Sequence, residues 1–203
     1  MSYILSIEAL RNVYTAYRFS SKFIFATEDV IEKIGSNEFN AALRSLKDMR
    51  ISDNPERELN MAITQLRSSL EHFISKSQGI FASYNVMKKQ FQTALLISIC
   101  YYCINERALC EQYRALSVNY FSEWLESYSN GCPSGKLYNL EIWYDETKKE
   151  VIDLGLSWTY SYPDSGFFDL FSDKAHRRFR EAFRSHKEAI KNQYREFTYK
   201  VTS

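Results

Sequence analysis

Arg67-Ser-Ser-Leu-Glu-His72 is the local pattern in this chain that could carry chemistry. Its histidine can exchange a proton around neutral pH, and its arginine is a permanent cation. A second concentration of charge lies near the C-terminus, where nine basic residues between Lys174 and Lys200 stand against Glu181, Glu188 and Glu196. Arg177, Arg178, Arg180, Arg184, Lys187 and Lys191 are its candidates for neutralising phosphates, an attraction that falls steeply with salt. The opposing reading pairs this segment with residues 137–169, where seven acidic residues accompany only Lys148 and Lys149, either within one molecule or between copies. Cys100-Tyr-Tyr-Cys103 has redox or zinc spacing, but Cys110 and Cys132 supply no second close pair, so the thiols read as small apolar core residues. His72, His176 and His186 form no metal-ligand spacing with one another, and no metal or cofactor is expected. Gly131-Cys-Pro-Ser-Gly-Lys136 approaches a phosphate loop but is one residue short, lacks the hydroxyl after lysine and follows a helix.

Arg67 and His72 fit the arginine, four to six residues, histidine motif of the HEPN superfamily, and the chain resembles that family in its helical character, over the helices that begin at Pro55 and near Phe81. The resemblance implies a metal-independent ribonuclease or an inactive relative. It implies His72 in proton transfer and Arg67 in stabilising phosphate charge, as RNA cleavage through its 2'-hydroxyl requires. Ser68 departs from the family pattern, in which a more polar residue often follows the arginine.

Helix geometry sets a condition on that site. At about 100° per residue, the five steps from Arg67 to His72 leave them roughly 140° apart on an ideal helix. Arg67 then flanks the apolar stripe within reach of Glu71, four residues on, while His72 points away. The two would meet only through a kink or across a second subunit. A surface ion pair with an exposed histidine is the other reading.

The elements that must position these residues are helical. With 203 residues, 45% hydrophobic and 16% aromatic content, the chain can bury a sizeable core, and six glycines and three prolines point to long helices with few breaks. The expected fold is all-α, an antiparallel bundle of four to five long helices with an irregular aromatic-rich insert before the last. Its parts are a bundle core over 1–130, an aromatic, acidic insert over 131–170, and a basic C-terminal helix over 171–203.

Residues 3–34 read as a first helix stopped by a Gly35 cap, and a second begins after Ser36 with Phe39, Leu43 and Leu46 on one face. Asn54, Pro55, Glu56 and Glu58 form a complete helix start, followed by the stripe Leu59, Ile63, Leu66, Leu70 and Phe73. The next helix spans about 81–128, interrupted near Asn105 or Ser117. Helices and loops are preferred to a hairpin over 137–162. The last helix carries the stripe Phe179, Phe183, Ile190, Tyr194 and Phe197.

The stretch Ala94–Ile104 is apolar on nearly all sides, about half the roughly 20 residues that a spanning helix needs. It is expected either at the centre of the bundle or against a second copy, hence a homodimer, with no membrane contact. The N-terminal 25 residues lack the order of a signal peptide, and the expected setting is cytoplasmic. The function expected is that of an interaction or regulatory module acting by protein binding and self-association. The alternatives are the HEPN-like ribonuclease and nucleic-acid binding by the last helix.

Overall fold

The computed structural model describes residues 30–49, 51–77, 84–130, 148–149, 151–153, 155–158 and 173–202. The chain is all-α: among the described residues there is no strand. The helices are α1 (Val30–Asp48), α2 (Pro55–Ser77), α3 (Tyr84–Cys103), α4 (Arg107–Asn130) and α5 (Asp173–Val201). They fall into two compact units, Met1–Phe121 with Phe197–Ser203, and Ser122–Glu196.

The start of α2 follows directly from its residues. Asn54 Oδ1 accepts from the Arg57 N–H at 3.0 Å, Pro55 occupies the first helical position, and Glu56 and Glu58 sit in the positive first turn. All five stripe residues, Leu59, Ile63, Leu66, Leu70 and Phe73, are buried. On α1, Phe39, Leu43 and Leu46 are buried as their spacing predicts.

One boundary differs from expectation. Gly35 does not cap a first helix; α1 runs through Gly35 and Ser36 without a break, and residues 3–29 lie outside the described set. The glycine is there because two helices touch. A Cβ on it would lie 2.8 Å from Phe73 Cε1 and 3.2 Å from His72 Cβ, and the Ser69 hydroxyl donates to its carbonyl at 2.7 Å. Ser68 meets Glu38, and Ser45 meets Gln65, so the paired numbers run in opposite directions and α1 and α2 are antiparallel.

Every residue from Phe91 to Tyr101 is buried within the single chain. The apolar α3 is therefore a central helix, and the chain itself supplies the cover that a second copy was expected to provide. Gln90 Nε2 donates to the Phe73 carbonyl at 3.2 Å, tying α3 to α2.

Of the two expected interruptions, Asn105 is the one used. Its φ of 59° is left-handed, its N–H donates to the Tyr102 carbonyl, and the Glu106 N–H donates to the Tyr101 carbonyl, both at 3.0 Å. That pair of bonds is a Schellman cap, and it turns the chain into α4. Phe91 and Phe121 then meet edge-on at 5.2 Å, and Ser117 donates to the Phe91 carbonyl at 2.8 Å. The end of α5 joins the same unit: Phe197 and Val201 pack on its core, and the Arg114 guanidinium lies 3.6 Å from the centre of the Tyr199 ring.

In the second unit, Trp124, Ile190 and Tyr194 are fully buried. Residues 151–153 are helical and end in another Schellman cap, with Gly155 at φ 76° and with Val151 and Leu156 both buried. The Trp158 ring meets His186 edge-on at 4.8 Å, and Gln193 accepts from the Ser157 N–H at 2.8 Å. Phe179 and Phe183 have side chains outside the described set.

Candidate functional site

α2 carries the two residues singled out by spacing, and α1 and α3 pack on either side of it. Arg67 is exposed and turns toward α3 and α4, where its guanidinium hydrogen-bonds to Tyr101 and Tyr113. The phenol rings of these two tyrosines stack with centroids 5.5 Å apart and planes inclined by 27°. The electron-rich hydroxyls, Tyr113 first, hold the Arg67 pKa above its ordinary value against some burial. Burial pushes the Tyr113 hydroxyl up in turn, with the neighbouring guanidinium opposing it. Glu71, the expected salt-bridge partner, acts on Arg67 only through its charge and is the weakest of these influences.

His72 turns the other way, to α1. Its Nδ1–H donates to the Ser68 carbonyl at 2.8 Å, and Glu38 Oε2 lies 3.0 Å from the same nitrogen. With that proton directed at the carbonyl, the Glu38 contact is electrostatic. Both neighbours of Nδ1 are acceptors, which selects the tautomer protonated there and leaves Nε2 as the acceptor. The Ser68 hydroxyl donates to Glu38 Oε1 at 2.8 Å, so this serine helps to place the carboxylate. The expectation of an exposed histidine pointing away is corrected: the side chain is 35% exposed and packs at the α1–α2 crossing. Within one chain Arg67 and His72 do not converge.

No family model, curated protein or solved structure matches this chain. The reading of the site therefore rests on its own geometry.

The basic helix is partly neutralised from within its own unit. Lys187 and Lys191 lie 3.5 and 2.7 Å from the same carboxylate oxygen of Glu126, and Lys191 also reaches Glu188 at 3.3 Å. The acidic partner found is thus on α4, before the 137–169 segment. Hydrogen bonding to Lys191 lowers the Glu126 pKa despite some burial. Arg184 is exposed; Arg177, Arg178 and Arg180 have side chains outside the described residues.

Cys100, Cys103 and Cys110 are free thiols, and Cys100 and Cys110 are buried as expected. Burial, then the nearby Cys110, pushes the Cys103 thiol up to about 12, which makes it a poor nucleophile at neutral pH. Among the described residues no group of three or more acidic, histidine or cysteine side chains could hold a metal ion. No helix there is long and apolar enough to cross a membrane. Cys132 and the Gly131–Lys136 loop lie outside the described residues.

Tyr101 and Tyr113 were not legible as partners of Arg67. The available signal was that Tyr101 falls inside the Cys100–Cys103 pattern, where the cysteines drew the attention. Glu38 and Glu126 carried no local signal, because each meets its partner on another helix.

Proposed function

We propose that this chain is a helical binding module that recognises a protein partner through the face where α2, α3 and α4 meet. One observation carries the reading: an exposed guanidinium, Arg67, held by phenols from two other helices. A free surface arginine has about 2 kcal/mol of rotamer entropy to lose when a partner fixes it. Hydrogen bonds that already orient it reduce that loss, which favours recognition. The module would work in the cytoplasm, a reducing setting that suits three free thiols.

Proton transfer at Arg67 has less support, because the histidine of the same motif faces α1. A HEPN-like ribonuclease would need Arg67 and His72 from different copies. The homodimer has lost its first motive, since Phe91–Tyr101 is covered within the chain. Nucleic-acid binding by α5 is weakened by the pairing of Lys187 and Lys191 with Glu126.

The test is quantitative affinity capture with the wild-type chain and Arg67→Ala, after thermal melts have established that both are folded. A partner retained by the first and lost by the second is the expected result. If capture is indifferent to Arg67, while purified protein cleaves RNA in chelator and His72→Ala does not, the ribonuclease reading replaces this one.

A further inference from the structure

We infer that Arg67, Tyr101 and Tyr113 form a receptor for a single carboxylate, presented by an acidic peptide segment of the partner. The inference rests on the reading of this face as a recognition surface, and it follows from counting donors and charges. A guanidinium has only N–H donors, so a phenol oxygen bonded to it must accept. Each phenol then directs its own O–H proton elsewhere. With the N–H groups of Arg67 that remain, the cluster offers several donors to an incoming group. A group that only accepts, an oxyanion, is the complement of that set.

Charge selects which oxyanion. The site holds one cation, Arg67, and one acidic neighbour, Glu71, whose charge is felt by both Arg67 and Tyr113. A phosphate monoester, with about −1.5 to −2 charge, would be repelled by Glu71 more strongly while finding no second cation. A carboxylate carries one charge and two coplanar oxygens, which the planar arginine fork matches. The stacked Tyr101 and Tyr113 rings, the second only half-buried, offer an apolar flank for the peptide beside its acid.

The experiment is an NMR titration of the Arg67 side-chain Nε–H signal in the full chain, with acetate, an N-acetylated glutamate amide and inorganic phosphate as probes. Sodium chloride serves as the ionic-strength control. Acetate and the glutamate amide are expected to shift the signal saturably, and phosphate less at equal ionic strength. A C-terminal carboxylate is distinguished by an N-acetylated alanine, which would bind better than the glutamate amide if the partner's chain end is the source. Affinity should fall roughly tenfold in Arg67→Lys, which keeps the charge and loses the fork, and severalfold in Tyr113→Phe. It should rise in Glu71→Gln. A phosphate shift larger than the acetate shift, or a titration unchanged in Arg67→Lys by acetate, overturns the inference. If no carboxylate binds yet capture still depends on Arg67, the receptor fails and the binding module survives.

Discussion

Gly35 lies directly against Phe73: a Cβ built on the glycine would stand 2.8 Å from Cε1 of the ring. In an exposed helix interior, replacing glycine by alanine gains about 1 kcal/mol of helix propensity. Here the sign reverses, because the ring is fully buried and cannot yield without moving the core. Gly35→Ala is expected to lower stability by about 1–2 kcal/mol in urea unfolding, the range for overpacked sites. Adding Phe73→Leu to it should recover part of the loss. An alanine that raised the urea midpoint would show that α1 and α2 approach less closely than described.

Asn105 makes the opposite case, a non-glycine residue at φ 59°. Asn105→Gly should leave stability within about 0.5 kcal/mol or raise it, since glycine adopts this conformation without a Cβ penalty. Asn105→Ala should cost about 1 kcal/mol. The same urea experiment reads both, and equal midpoints for the two variants would count against a left-handed cap between α3 and α4.

The cysteines give a chemical readout. With Cys103 pushed up to about 12 and Cys100 raised well above its ordinary range by burial, few thiolates exist at neutral pH. In a Cys132→Ser background, the folded protein should react with a thiol reagent far more slowly than the urea-unfolded chain. Fast modification of the folded form, located by mass spectrometry at Cys103, would contradict this burial.

Glu126 and its two lysines predict a pH dependence. The Glu126 carboxyl is held below its ordinary 4.5, so its stabilising contribution is present above that value and is lost as pH falls through the lowered one. For Lys191, burial acts downward, but hydrogen bonds to Glu126 and Glu188 raise the ammonium above 10.5. Its contribution is present below 10.5 and is lost as pH rises through the raised value. The stability difference between wild type and Glu126→Gln should therefore be flat near neutrality and shrink toward both extremes. Its size should not exceed about 1 kcal/mol, because Glu126 is 44% exposed and solvent screens the pair. A difference that grows in acid would reverse the assigned roles.

What could be seen in the sequence was local. Asn54 and Pro55 announce α2 because the cap and its helix are contiguous, and the Leu59–Phe73 stripe is buried because helical periodicity alone places it on one face. Gly35 was misread because a glycine signals either a helix end or a close approach, and the deciding atom belongs to Phe73 on the next helix. The candidate site failed to close for the same reason. Helix geometry separated Arg67 from His72, but only the packing of α1, α3 and α4 shows that Glu38 claims one while Tyr101 and Tyr113 claim the other. Helical pattern determines which residues face inward; it does not name the residue across the interface.

The burial of Phe91–Tyr101 on every side also sets an isotopic clock. Amides in the middle of α3 have no local opening that brings them to solvent, so their exchange for deuterium waits for the surrounding unit to come apart. The turn from Ile51 to Asn54, largely exposed between α1 and α2, exchanges through small openings instead. A ligand that binds only the folded chain, wherever it docks, slows the α3 amides by the factor one plus its concentration over its Kd and leaves the turn nearly untouched. α3 thus reports occupancy of a site it does not need to touch.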